Sequence, residues 1–96
     1  MKDAAAVWKF PAPASFGADG TFMVLMPAGS VPVSCQQQRG DLMIWAMVAP
    51  KEPQRGHRFR IVMTGEEFPQ EHLGKFLATV QLPNGIVAHL FYLGER

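Results

Sequence analysis

Two arginines placed two residues apart, Arg58 and Arg60, are the side chains whose types and spacing best suit ligand binding. In an extended strand, alternate residues share one face and lie about 7 Å apart. Two guanidinium groups at that separation can hold a pair of phosphates or a carboxylate patch. His57 and Arg55 adjoin them, so we predict a binding site formed by these four residues. The same spacing also fits a solvated sheet face, on which acids of neighbouring strands pair with the arginines.

Two further residues have side chains that catalysis can use, but their surroundings favour structural roles. His89 shares a strand face with Val87 and Phe91, where it could act as a general base or contact a ligand. The favoured interpretation is a buried histidine bonded to a main-chain carbonyl group, since buried polar groups have such partners. Cys35 follows a valine-rich run and is expected to pack in the core as a small apolar residue. We therefore assign no catalytic residue.

The remaining polar residues do not indicate a metal or a cofactor. Cys35 and the three histidines do not fall at ligand spacings. Glu66 and Glu67 are adjacent acids in a predicted loop; they could bind a cation or cap the turn at residues 69–73, but loop acids are usually solvated. Paired catalytic carboxylates and a glycine-rich phosphate loop are lacking. We expect a protein that is not an enzyme, with a small hydrolase or nuclease as the least favoured alternative.

The composition predicts one small globular domain over residues 1–96, with residues 1–6 as a candidate disordered tail. Hydrophobic residues make up 48% of the 96 residues and charged residues 18%, which is enough apolar material for a core. The net charge of +1 is not that of a general nucleic-acid binder. The sequence contains no signal-peptide pattern and no apolar run that could span a membrane. A single cysteine suits a reducing compartment, so we predict a cytoplasmic protein without a membrane partner.

Eight prolines and nine glycines divide the sequence into short apolar runs, a pattern typical of short strands rather than long helices. We predict an all-β fold, a compact antiparallel sandwich or partly open barrel of about seven short strands, with at most one or two short helical turns. The predicted strands are residues 7–10, 21–26, 31–38, 42–48, 57–63, 75–82 and 86–93. Arg39-Gly40-Asp41 predicts a hairpin turn, and Asn84-Gly85 predicts another with two residues of positive φ. A single helical turn is predicted over residues 69–73, ended by Gly74.

Alternation within these runs predicts the core. The run 42–48 is apolar on both faces, which favours a central strand buried on both sides. In the run 57–63, Phe59 and Ile61 share one face, and the arginines share the other. The residues expected to be buried are Trp45, Phe59, Ile61, Phe76, Val80, Val87 and Phe91.

A series of short motifs spans nearly the whole chain. In order they are Trp8-Lys9-Phe10-Pro11, Met26-Pro27-Ala28-Gly29, Gln38 with Gly40, Trp45-Ala46-Met47-Val48, Arg58-Phe59-Arg60-Ile61-Val62 with Thr64-Gly65, Leu73-Gly74, and Val87 with His89 and Phe91. This ordered set resembles a family of small proteins encoded by bacteriophages and prophages, known only as a domain of unknown function. The sequence departs from the family pattern at Ala88, where tryptophan is common, and at Glu66-Glu67, where His-Pro is common. The resemblance implies a phage or prophage setting, in which small proteins often act on host machinery, and it implies no activity.

These observations favour a non-enzymatic, phage-type binding or interaction protein that modulates a host enzyme or defence system, that is, a counter-defence role. The alternative is an oligomeric protein that sequesters a phosphorylated small molecule or nucleotide signal, with Arg58 and Arg60 on the phosphates and an aromatic ring on the base. A domain this small without a disulfide or metal gains stability by self-association. We therefore expect a homo-oligomer held by edge strands or apolar contacts.

Overall fold

Across the described residues the predicted all-β fold is confirmed, with seven strands and one short helical segment. The computed structural model describes residues 4–96, with His72 described by its main chain only. Residues 1–3 of the expected tail lie outside this described part, and Ala6 already belongs to the first strand. The elements are β1 (Ala6–Pro11), β2 (Thr21–Pro27), β3 (Val31–Gln38), β4 (Asp41–Val48), β5 (Gln54–Met63), a single-turn 3₁₀ helix (Gln70–His72), β6 (Lys75–Gln81) and β7 (Val87–Glu95).

The strands form two sheets that pack face to face as a sandwich. Sheet A has the order β1-β4-β3, and sheet B has the order β2-β5-β7-β6. Every pairing is antiparallel. The edge strand β3 lies against the edge strand β6 of the other sheet, whereas β1 and β2 stand at the far ends of their sheets. Among the strands that the structure describes, the sandwich is therefore not closed into a barrel, and β1 and β2 each keep an open edge.

Both predicted hairpin turns are present, but they differ in length. Arg39 and Gly40 have φ values of 53° and 88°, the pattern of a two-residue type I′ turn. The second hairpin has a three-residue loop, 83–85, closed by main-chain hydrogen bonds, and only Gly85 has positive φ, at 86°. The prediction of two positive φ values is thus wrong for Asn84, because a three-residue loop needs a single left-handed residue.

The core lies between the two sheets and centres on Phe59. This ring is fully buried, stacks on Phe22 with centroids 5.4 Å apart and tilts against Tyr92 at 5.2 Å. Burial is confirmed for Phe59, Ile61 and Val80 among the predicted core residues. The other buried residues of this core are Phe22, Val24, Met26, Cys35, Ile44, Ala46, Val48, Ala88 and Leu90.

The prediction that the fourth strand is buried on both sides is wrong. β4 turns Ile44 and Ala46 into the core, which leaves Trp45 and Met47 on the outer face of sheet A. Trp45 is half-buried and Met47 is 45% exposed. The sandwich has only two layers, so an apolar strand meets a second sheet on one face alone.

Three aromatic or aliphatic residues expected in the core lie on the outer face of sheet B instead. The pairing of β6 with β7 shifts register between Phe76 and Ala78, and this irregularity turns Phe76 outward, where it is 53% exposed. Val87 and Phe91 occupy the outer face of β7 and are half-buried. Phe91 is covered by Phe68, with ring centroids 5.4 Å apart. A single extra residue in a strand reverses its faces.

Candidate ligand-binding groove

Strand β5 places Arg58 and Arg60 on the outer face of sheet B, because Phe59 and Ile61 point into the core. The connection from β5 to β6, residues 64–74, covers part of this face through the contact of Phe68 with Phe91 described above. A groove of about 480 Å³ lies beside it. It is lined by Arg58, Arg60, Glu71, Gly74 and Leu93. The structure therefore brings the predicted arginine pair into one concave site.

Arg60 is the buried member of the pair. It is only 5% exposed, whereas Arg58 is exposed, so the alternative interpretation of a solvated sheet face is wrong for Arg60. Its Nη2 lies 4.0 Å from the carboxylate of Asp19, in the β1–β2 loop. Asp19 accepts hydrogen bonds from the hydroxyl and main-chain N–H of Thr21, at 2.6 and 3.1 Å. These bonds lower the pKa of Asp19, and the charge of Arg60 adds to the lowering. Arg60 is thus held beside an ionised acid.

One wall of the groove depends on Gly74. Its φ of 71° ends the single helical turn, which confirms that prediction. A Cβ at this position would overlap the carbonyl oxygen of Tyr92, so only glycine lets the connection lie directly against β7. The helical turn also carries Glu71 into the groove lining. Two cations and one acid in the same groove suit a ligand that has an anionic group and a hydrogen-bond donor.

Arg58 also lines a second, smaller hollow on the side of β2. This hollow has a volume of about 200 Å³ and includes Thr21, Phe22, Met23 and Arg96. The main-chain N–H of Arg96 donates to the carbonyl of Gly56 at 2.8 Å, which fixes the main chain of Arg96 beside β5. The outer face of sheet B therefore carries a cationic strip formed by Arg96, Arg58 and Arg60.

Arg55 and His57, which were predicted to join the arginine pair, lie on the opposite side of β5. His57 is fully buried, and its Nδ1 lies 2.8 Å from the hydroxyl of Tyr92. Its Nε2 lies 3.8 Å from Glu95 and has no hydrogen-bond partner in the described part of the chain. Arg55 Nε lies 3.7 Å from the same carboxylate. Burial raises the pKa of Tyr92, and the charge of Glu95 adds to this rise. The four predicted residues therefore form two separate pairs.

The side chains of His89 and Cys35 lie outside the groove lining. His89 is half-buried on the outer face of β7, with Nε2 2.8 Å from Thr64 Oγ1 and Nδ1 3.0 Å from Thr79 Oγ1. The prediction that His89 bonds to a main-chain carbonyl group is wrong. Hydroxyl groups from the end of β5 and from β6 contact both of its ring nitrogens instead. Cys35 is 2% exposed, as predicted, and burial raises the pKa of its thiol to about 12. A thiol in this state is unreactive.

Sequence reasoning did not find three residues that shape the site, namely Asp19, Glu71 and Leu93. Asp19 lies in a loop, Glu71 lies in the single helical turn, and Leu93 is an ordinary strand residue. Their proximity to the arginines comes from the β1–β2 loop, the β5–β6 connection and the last strand, so no spacing along the chain indicates it. The one signal of the site in the sequence was Gly74. It was predicted to end the helical turn, and it lies where the β5–β6 connection meets the sheet.

The protein is thus a two-layer antiparallel β-sandwich with an arginine-lined groove on the outer face of sheet B. The chain belongs to the family described as a domain of unknown function, DUF7352, whose model matches residues 4–96. No curated protein and no solved structure matches the chain. Within the described residues, no helix is long and apolar enough to cross a membrane. The same residues contain no group of three or more histidine, cysteine or acidic side chains placed to hold a metal ion.

Proposed function

We propose that this protein is a non-enzymatic binding protein that holds an anionic group in the groove of Arg58 and Arg60. The observation that carries this proposal is the meeting of both arginines in one concave site. Arg60 is buried and so offers a positioned cation, while the exposed Arg58 can reach the ligand from the wall. Charge-assisted hydrogen bonds from guanidinium groups to phosphate or carboxylate are strong and directional, and they strengthen where water is excluded.

Glu71 narrows the class of ligand. Its carboxylate shares the groove with the arginines, so a ligand that is anionic throughout would be repelled by it. A ligand with a phosphate or carboxylate at one end and a hydroxyl or amino group nearby satisfies both charges. We therefore propose that Glu71 accepts a hydrogen bond from a neutral or cationic donor on the ligand.

The dimensions of the groove favour a small molecule as the bound species. Its volume of about 480 Å³ falls within the range of small-molecule sites, about 300–1,000 Å³. This supports the second candidate function, in which the protein sequesters a phosphorylated small molecule or nucleotide signal. The resemblance to phage and prophage proteins adds a setting to the proposal, namely the cytoplasm of a bacterial host, in which the protein modulates a host enzyme or defence system through this ligand or an anionic partner.

The first test is to identify what the protein carries. The protein is purified from bacterial cytoplasm, denatured, and the released small molecules are analysed by mass spectrometry. A phosphorylated compound in stoichiometric amount supports the sequestering function. A co-purifying acidic host protein without such a compound supports the interaction function and overturns sequestration.

The second test assigns the site by calorimetry, with phosphoethanolamine as the probe, because its phosphate suits the arginines and its amino group suits Glu71. Arg58→Ala is expected to weaken binding by about 10- to 150-fold, the equivalent of about 1.5–3 kcal/mol for a charged hydrogen bond. Arg58→Lys should also weaken binding, because an ammonium group cannot reproduce the planar fork. Arg55→Ala is the matched control: it removes the same charge from the same strand but on the Glu95 side. If Arg55→Ala weakens binding as much as Arg58→Ala, the groove is not the site.

A further inference from the structure

The open edge of β2 exposes a short row of main-chain hydrogen-bonding groups. Ile61 donates its main-chain N–H to the carbonyl of Gly20, and Ala28 donates to that of Pro53. Main-chain groups alternate between the two edges of an antiparallel strand. These two bonds therefore fix the direction of every group between them: even-numbered residues of β2 face β5, and odd-numbered residues face the open edge.

Both ends of this edge are closed by local turns. The carbonyl of Thr21 accepts a bond from Gly17 N at 2.9 Å, and the N–H of Thr21 donates to Asp19. At the other end, the carbonyl of Pro27 accepts bonds from the N–H and hydroxyl of Ser30, at 3.1 and 2.6 Å. Proline itself has no N–H.

Met23 and Leu25 lie between these turns. Their edge-facing N–H and C=O groups make no hydrogen bond within the part of the chain that the structure describes. The open window therefore contains two donors and two acceptors, centred on Val24.

This window is self-complementary, and we propose that it is the surface through which two copies of the chain associate. In an antiparallel pairing centred on Val24, Met23 of each copy stands opposite Leu25 of the other. Such a pair exchanges two N–H···O=C bonds, so the two pairs use all four donors and all four acceptors. The pairing joins both copies of sheet B into one continuous eight-stranded sheet.

The side chains of β2 favour a second copy of the same chain as the partner that pairs with this open edge. The strand contains no charged residue between Thr21 and Pro27, although edge strands are commonly protected by a charge. The other open edge has this protection, since β1 carries Lys9 at its centre. On the outer face, Met23 is 44% and Leu25 is 63% exposed. In the proposed pairing Met23 of one copy lies across from Leu25 of the other. Both side chains therefore bury apolar surface that the single chain exposes to solvent.

The association has a geometric consequence for the groove. The two-fold axis of this pairing is perpendicular to the sheet, so the outer faces of both copies point the same way. The two β5 strands are then separated by three strand spacings, about 14 Å. Arg58 of each copy, which pairs with Met23 in register, therefore borders a common cationic face that spans the dimer.

Proline substitution on the two open edges tests the proposal. Leu25→Pro removes one edge-facing N–H but leaves the ladder with β5 intact, since residue 25 donates to the open side. The wild-type chain at high micromolar concentration is expected to sediment with twice the mass of one chain, and Leu25→Pro with the mass of one. Lys9→Pro is the matched control on β1 and should remain a dimer. A monomeric wild type, or a dimer that Lys9→Pro dissociates and Leu25→Pro does not, overturns the proposal.

A cysteine cross-link tests the register without depending on the folding of the proline variant. Val24 of the two copies forms a non-hydrogen-bonded pair with Cα atoms about 4.5 Å apart, a separation that a disulfide can bridge. Val24→Cys is therefore expected to form a covalent dimer under mild oxidation, whereas Val7→Cys, on the exposed face of β1, should not. Cys35 is buried and does not interfere. Failure of Val24→Cys to cross-link in the folded protein overturns the pairing centred on Val24.

Discussion

Arg60 should contribute to the stability of the fold as well as to the groove, whereas Arg58 should contribute to the groove alone. Arg60→Ala removes two buried methylene groups, worth about 0.8 kcal/mol each, together with an ion pair worth at most about 1 kcal/mol, since Nη2 lies 4.0 Å from the carboxylate of Asp19. The alanine variant does not have to desolvate a guanidinium group when it folds, so the net loss of stability is smaller than this sum. Asp19 is readily rehydrated, because its side chain is 59% exposed. We expect a net loss of about 2 kcal/mol of unfolding free energy.

The assay is thermal unfolding followed by circular dichroism, with both variants measured under identical conditions. For a domain of this size, about 2 kcal/mol corresponds to a Tm lower by about 8–16 °C. Arg58→Ala should change the free energy of unfolding by no more than about 0.5 kcal/mol, as is usual for exposed positions. Equal Tm values for the two variants would show that Arg60 is no more buried than Arg58, and the description of the groove would be refuted.

Two further predictions test the core. Phe59→Ala should lower the free energy of unfolding by about 3–5 kcal/mol, since the ring is fully buried between Phe22 and Tyr92. Trp45→Ala should lower it by only about 1–2 kcal/mol. Equal losses for the two variants in denaturant titrations would contradict the assignment of faces. The unfolding free energy should also fall as pH rises from 9.0 towards 12, because the unfolded chain releases the Cys35 proton near the ordinary pKa of 9.0 and the folded chain holds it until about 12. Titration of Cys35→Ala provides the baseline, and an identical pH dependence in both chains would sink the prediction.

Most strand boundaries could be predicted from the sequence because their signals are local, although β5 begins at Gln54, three residues before its predicted start. Proline and glycine mark the turns, and alternation marks the strands, within windows of a few residues. The Arg39-Gly40 hairpin is the clearest example, since a two-residue type I′ turn requires residues that accept positive φ. The placement of Arg58 and Arg60 on one face followed from the same local alternation.

The environment of each face could not be predicted, because it depends on distant parts of the chain. Trp45 and Ile44 lie on two equally apolar faces of β4, and only the position of sheet B decides which face is buried. Phe76 turns outward because of a register shift relative to β7, which alternation along β6 alone does not indicate. Arg60 is only 5% exposed, with Asp19 4.0 Å from its guanidinium group, and the sequence of β5 holds no information about this distant neighbour.

The division of the strands between two sheets also determines what spectroscopy can observe. The chain has two tryptophans and one tyrosine: Trp8 and Trp45 lie in β1 and β4 of sheet A, and Tyr92 lies in β7 of sheet B. Tryptophan emission therefore reports the packing and unfolding of sheet A. Neither indole lines the groove, so ligand binding should leave this emission nearly unchanged, and a fluorescent reporter for the groove has to be introduced on sheet B.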